Sequence, residues 1–197
     1  MEPVRRIAGR ALPLARADVD TDQIIPSQWL KRLERTGYAE GHFEAWRRDP
    51  AFVLNDDRYR GAVILLAGAN FGSGSSREHA VWALVESGFR AVIAPSFADI
   101  FRNNALKNGL VPVELDEATS GRLVALVRDD PATEIAVDIE RRTVEAPHIR
   151  SPFPLDDHSR LRLLEGLDDI GLTLRYETDV AAYERKRPEW LPRVTAP

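Results

Sequence analysis

No cysteine occurs among the 197 residues, and this one absence removes several chemistries at once. The chain forms no disulfide, holds no thiolate-ligated zinc or iron–sulfur centre by itself, and has no thiol nucleophile. Any iron–sulfur chemistry has to come from a partner. A strong charge of either sign is missing too: 27 Lys and Arg face 31 Asp and Glu, a net −4. The overall field therefore does not favour nucleic acid or an anionic membrane. No apolar run approaches the roughly 18 residues of a spanning helix, and residues 1–10 contain no apolar signal region, so the expected location is the cytoplasm. Repeats with a period of about 20 to 50 residues and low-complexity tracts are also lacking. What remains, 44% hydrophobic and 29% charged positions, is the balance of a globular protein that buries about 70% of its unfolded surface without staples.

Residues 5–14 alternate like a strand. Residues 28–33, after Pro26, read as a short helix closed by Gly37, and residues 42–48, with Phe43 and Trp46 at i and i+3, read as another stopped before Pro50. A regular alternation follows: an apolar run at 62–67, a glycine-rich turn at 68–75, helical periodicity over 76–89, a buried strand at 91–94, a helix over 96–108 ended by Gly109, and a strand at 110–115. Such a succession predicts an α/β protein with a mainly parallel sheet covered by helices. Asp116 is placed to cap a helix running to Pro131, and residues 134–139 and 143–149 flank Arg141-Arg142 as a hairpin, so the sheet is expected to be mixed. Asp156 opens a helix through Leu161, Leu164 and Leu167, a final helix covers 178–187, and residues 190–197 read as a tail.

The densest chemistry lies in the run from Asn70 to His79. Ser75 and Glu78 match an S-x-x-E capping box, which would start a helix there and leave first-turn N–H groups free for an anion. Gly72 and Gly74 would let the backbone approach that anion, and Arg77 adds a planar fork suited to a carboxylate or phosphate. A dinucleotide loop is only half matched, because Arg77 stands where the third glycine belongs. No G-K-[ST] follows for a phosphate loop, and the spacing fails the serine-hydrolase elbow. The bland alternative is that Ser75 and Ser76 merely cap a helix and Arg77 is solvated. Asp18, Asp20 and Asp22 mimic the start of a calcium loop, but Gln23 and Trp29 replace its glycine and its bidentate glutamate. His79, one turn below Ser75 on the same face, reads as a packed histidine, with support of the site as the alternative; His42, His148 and His158 show no ligand spacing; Trp29, Trp46, Trp82 and Trp190 read as core, with a subunit interface as the alternative for one or two of them.

Three ordered motifs resemble the swivelling domain of the aconitase superfamily: Asp20-Thr21-Asp22-Gln23-Ile24-Ile25-Pro26, Phe71-Gly72-Ser73-Gly74-Ser75-Ser76-Arg77-Glu78-His79-Ala80, and Phe97-Ala98-Asp99-Ile100-Phe101-Arg102-Asn103-Asn104. The stretch from Leu163 to Leu174 further resembles the end of the small subunits of bacterial 3-isopropylmalate dehydratase. The likeness implies a β/β/α swivelling domain over 1–175, followed by a C-terminal helix and tail over 176–197. It implies a hydro-lyase half that interconverts 2- and 3-isopropylmalate in leucine biosynthesis. A separate large subunit would carry a [4Fe-4S] cluster, and no metal would be held here. By the same likeness, Ser75 matches the catalytic base. Ser76 and Arg77 match contacts to the carboxylate of a small dicarboxylic acid, Thr21 and Asp22 match the pocket wall, and Arg35 and Thr36 match a substrate-selecting loop in which Arg32 and Lys31 compete with Arg35. Two other readings stay open: a sister subunit acting on homoaconitate, citraconate or a dimethylmalate, and a non-catalytic anion- or nucleotide-binding module.

Overall fold

The structure, a computed structural model, describes residues 1–34, 36–188 and 190–191. One seven-stranded sheet runs through it: β1 (Arg6–Pro13), β2 (Ile64–Leu66), β3 (Ala91–Ala94), β4 (Val111–Glu114), β5 (Glu134–Asp138), β6 (Thr143–Ala146) and β7 (Ile149–Pro152), in the order β4-β3-β2-β1-β5-β6-β7. From β1 through β2 and β3 to β4 the pairing is parallel, whereas β5, β6 and β7 continue from the other edge of β1 as an antiparallel meander. The connections dictate this division. Parallel neighbours need a long crossover, supplied here by α3 (Glu78–Glu86) and α4 (Asp99–Lys107), while the few residues between β5 and β6 permit only a hairpin. Burial follows: β2 and β3 are buried along their whole length, as strands covered on both faces must be, and β5 alternates.

The helical layer forms for local reasons visible in the chain. Asp116 accepts the Thr119 N–H at 2.8 Å and starts α5 (Glu117–Asp129), which turns Ser120, Leu123 and Val127 into the core. Asp156 does the same for α6 (Asp157–Glu165), accepting from Ser159 at 2.9 Å, and left-handed Gly166 ends it. Short helices α1 (Thr21–Ile24) and α2 (Glu44–Arg47) pack on each other, α1 also against α3, and α7 (Asp169–Leu174) and α8 (Glu177–Lys186) are the last helices of the described chain. Several elements escape the sequence reading, among them β7, α7, the short α1 and the 3₁₀ turns Tyr38–Gly41, Val53–Asn55 and Asp57–Tyr59. β7 is four residues long with a single buried side chain, Ile149, and α7 carries Gly171 mid-helix, so neither shows a periodicity. Residues 28–33 form a tight 3₁₀ turn over Ser27–Lys31 instead of a helix, because only Trp29 leans on the core and no apolar stripe exists. Trp29, Trp46 and Trp82 pack against the core margin as expected, but Trp190 is 81% exposed, and of the expected tail residues 192–197 lie outside the described residues. No helix among the described residues is long and apolar enough to cross a membrane.

Among the described residues His42 is the only Asp, Glu, His, Lys or Arg side chain sealed into this core, 7% exposed. Its Nδ1 lies 2.7 Å from the Ala39 carbonyl, so that nitrogen carries the proton, and its buried Nε2 has no partner among the described residues. Burial holds its pKa below the ordinary imidazole range and the Arg47 charge adds to this, against the Ala39 hydrogen bond. A depressed folded pKa means that the unfolded chain takes up the proton first. Stability is therefore complete above the ordinary value of about 6.5 and drains away as pH falls below it. In denaturation curves across that window, His42→Asn, which keeps a donor for Ala39, is expected to flatten the acid-side slope; an unchanged slope would assign it to other groups.

Candidate active site

The three motif segments meet beyond the carboxyl ends of β1, β2 and β3, where parallel α/β sheets open their crevices. Each is tied to the next by backbone bonds. Gly72 and Ser73 donate to the Val19 carbonyl at 2.7 and 3.2 Å, Thr21 donates to Ser73 at 2.9 Å, and Phe71 and Ala98 exchange bonds across the gap, Phe71 giving to Ser96 at 3.1 Å and Ala98 to Phe71 at 3.0 Å. Phe71 also stands edge-on to Phe101, with centroids 5.1 Å apart, and Phe97 stacks on Phe101 at 6.3 Å. An aromatic wedge thus fixes the glycine loop from below.

Gly72 belongs to that wedge and not to a ligand cradle, which corrects the expectation. It is buried with φ +79°, and a Cβ on it would come within 2.2 Å of the Phe101 ring. Gly74, at φ +85°, lies over Asp20 and Thr21.

The Ser75–Glu78 capping box does not form. Arg77 is the N-cap residue of α3, with no side-chain cap, and Glu78 accepts from Asn108 at 2.8 Å instead. The box belongs to the preceding motif: Asp20 accepts the Gln23 N–H at 2.8 Å while Gln23 accepts the Asp20 N–H at 3.0 Å. Ser75 consequently lies ahead of the helix rather than on one face with His79. None of the backbone N–H groups from Gly74 to His79 has an acceptor among the described residues. The hydroxyls of Ser75 and Ser76 are exposed beside this row of free donors at the positive end of α3.

Thr21, expected on the pocket wall, is buried, and its Oγ1 donates to the Ser75 carbonyl at 2.9 Å. It positions Ser75 from beneath. Arg77 turns inward, 16% exposed, and its Nη1 pairs with the more open Asp22, 53% exposed. Nε and Nη2 of the guanidinium have no partner among the described residues, leaving part of the fork free. His79 sits between Tyr38 and Trp82, with ring centroids at 5.3 and 4.7 Å. Burial lowers its pKa, and Arg77 adds to this while Glu78 opposes it, so the imidazole is neutral near pH 7.

Asp18 accepts from Asn70 at 2.8 Å, which leaves the three aspartates with three different partners and no calcium loop. Among the described residues no group of three His, Cys, Asp or Glu could hold a metal ion. Arg32 donates to the Gly37 carbonyl at 2.8 Å and lies over Trp29, Lys31 and Thr36 are exposed, and Arg35 falls outside the described residues. The sequence reading overlooked Glu86 and Tyr38, which join the 31–37 segment to α3; Tyr38 carried a signal as an aromatic directly after the Thr36-Gly37 break. Among the described residues, one hollow of about 430 Å³ is walled by Arg16, Phe52, Arg58 and Arg128, and another of about 390 Å³ lies along α3, walled by Glu78, Trp82, Val85, Glu86 and Asn108.

Comparison with known proteins agrees with these motifs. The family model of the aconitase C-terminal domain matches residues 1–118, and the model of the C-terminal domain of the 3-isopropylmalate dehydratase small subunit matches residues 169–196. The 3-isopropylmalate dehydratase small subunit of Rubrobacter xylanophilus is 59% identical over 194 residues, covering 98% of this chain and 100% of its own. That of a Parafrankia species is 60% identical over 192 residues, 98% of each. A crystal structure of 3-isopropylmalate dehydratase from Methanocaldococcus jannaschii superposes with a TM-score of 0.63 at 26% identity, covering 90% of this chain and 98% of that one. With its motifs interlocked at the carboxyl ends of three parallel strands and 98% of its length matched by curated relatives, the chain belongs to the 3-isopropylmalate dehydratase small-subunit family.

Proposed function

We propose that this chain is the small subunit of a two-chain hydro-lyase that interconverts 2- and 3-isopropylmalate in cytoplasmic leucine biosynthesis, and that Ser75, Ser76 and Arg77 are its contribution to the site. The observation that carries this reading is the exposed Ser75-Ser76 pair set beside unpaired backbone N–H groups and a half-free guanidinium. A substrate carboxylate fits between Arg77 and those amides, with Ser76 as a further donor. Asp22 holds the guanidinium in place, and Thr36 with Arg35 stands on the loop that selects among substrates.

In the dehydration step Ser75 Oγ takes the proton from the carbon beside the carboxylate. The electron pair of that C–H bond forms the double bond as hydroxide leaves the neighbouring carbon, and addition of water in the opposite sense gives the isomer. A serine hydroxyl is a poor base near neutral pH, so its ionised form has to be favoured by the free N–H groups, the α3 dipole and Arg77. These donors serve the carboxylate and the alkoxide alike.

The [4Fe-4S] cluster that the family likeness implies finds no ligands here, since the chain has no cysteine and no metal-holding cluster among the described residues. It belongs, on this reading, to the large subunit, and binding and proton transfer are the steps that fall to this chain. Ser75 and Ser76 facing solvent instead of a closed cavity suits half of a site completed by another polypeptide.

Reconstitution tests the reading. Mixed anaerobically with a cognate large subunit, the pair should interconvert the two isopropylmalates, and neither chain alone should do so. A pair that turns over homoaconitate, citraconate or dimethylmalate faster would move the assignment to a sister enzyme. Arg77→Lys is expected to raise KM about tenfold with a smaller change in kcat, because a point charge cannot serve Asp22 and a carboxylate as a fork does. An unchanged KM would remove Arg77 from the binding site.

A further inference from the structure

At the end of α3 remote from Ser75, Glu86 turns its carboxylate onto the chain that leaves the 31–37 loop. Its Oε2 accepts the backbone N–H of Tyr38 at 2.6 Å and that of Ala39 at 3.1 Å. These N–H groups open the 3₁₀ turn Tyr38–Gly41, whose own cap position is Gly37, left-handed at φ +86° and without a side chain to offer. Glu86 thus does across the fold what a capping side chain does locally. An acid in the last turn opposes the dipole of its own helix, so Glu86 gains nothing for α3. Its return lies in the turn that it holds.

Tyr38 completes the fastening. It is 1% exposed, its ring packs on His79 and Trp82 of α3 at 5.3 and 5.6 Å, and its hydroxyl donates to the Glu34 carbonyl, inside the loop, at 3.1 Å. The loop therefore hangs from the same helix whose opposite end presents Ser76 and Arg77.

We infer that Glu86 is a positioning residue: through Tyr38 and Ala39 it sets the substrate-selecting loop at a fixed distance from the carboxylate-binding end of α3. This rests on the isopropylmalate reading above. Two measurements keep the two separable. Trypsin acting on the isolated full chain at Lys31 and Arg32 reports the fastening alone, and steady-state kinetics of the reconstituted pair report its use.

Glu86→Ala is expected to speed loop cleavage about fivefold and to raise KM for 3-isopropylmalate about tenfold, the worth of losing a charged acceptor shared by two amides, with kcat within about twofold. Discrimination against a longer-chain homologue of the substrate should fall as well. Glu86→Gln, which still accepts both N–H groups, should restore cleavage rate, KM and discrimination toward wild-type values. Unaltered cleavage in Glu86→Ala would overturn the fastening. Faster cleavage with KM and discrimination unmoved would overturn the positioning role, and so would a Gln variant as impaired as Ala despite a wild-type melting temperature. A wild-type pair without turnover on isopropylmalate would sink the reading of function and, with it, the positioning claim, whatever trypsin reports.

Discussion

Replacing Ser75 by alanine lowers kcat of the reconstituted pair by about 10²- to 10⁴-fold, the usual worth of a positioned general base, while KM changes little. The split follows from what the substitution leaves in place. The loop is held through the Ser75 carbonyl, which accepts the Thr21 hydroxyl at 2.9 Å, and through the backbone bonds of Gly72 and Ser73 to Val19. None of these uses the Ser75 side chain. On the proposed reading Ser76, Arg77 and the N–H groups that have no acceptor among the described residues remain for the carboxylate, so the acid should still dock with only the proton acceptor gone. A variant with intact turnover would take Ser75 out of the chemistry; one with a large KM rise would make it a binding group.

The second large effect is on the scaffold. Gly72→Ala combines two costs, a side chain at φ +79° and a Cβ that would lie 2.2 to 2.6 Å from ring and Cβ atoms of Phe101. Left-handed strain costs about 1 to 2 kcal/mol and overpacking about 1 to 3 kcal/mol. A total near 3 kcal/mol corresponds to a melting temperature lower by roughly 6 to 12 °C at this chain length. Because Phe101 carries the third motif and Gly72 the second, whatever relaxes to admit the methyl group shifts one motif against the other. Activity in the fraction that stays folded should fall as well. Thermal melts together with kinetics below the transition check this, and a wild-type melting curve would mean that the wedge of Phe71, Phe97 and Phe101 yields freely.

The fold was legible wherever the pattern is local. Buried strands at 64–66 and 91–94 announce themselves as unbroken apolar runs, and Asp116 and Asp156 start helices where their spacing says they should. The site was legible as three motifs but not as an arrangement, because its geometry depends on contacts between residues dozens of positions apart. Ser75 and Glu78 have capping-box spacing, yet Ser75 is drawn down by Thr21 and Glu78 is taken by Asn108. The Asp20–Gln23 pair, with the same spacing, does form the box. Nothing local marks Gly72 as the partner of a ring 29 positions further on, or Glu86 as the cap of a turn nearly 50 residues earlier. His79, by contrast, proved to be the packed histidine that its setting suggested.

The most direct test of the central claim, that this chain supplies the proton acceptor while its partner supplies the iron, is deuterium uptake. The anaerobically reconstituted pair is incubated with 3-isopropylmalate in heavy water, and the label on the carbon beside the carboxylate is followed by mass spectrometry. The wild-type pair should incorporate deuterium as the isomers equilibrate, and the Ser75→Ala pair should bind the acid with comparable affinity but incorporate label at least about 100-fold more slowly. Incorporation at the wild-type rate in the Ser75→Ala pair would contradict the account.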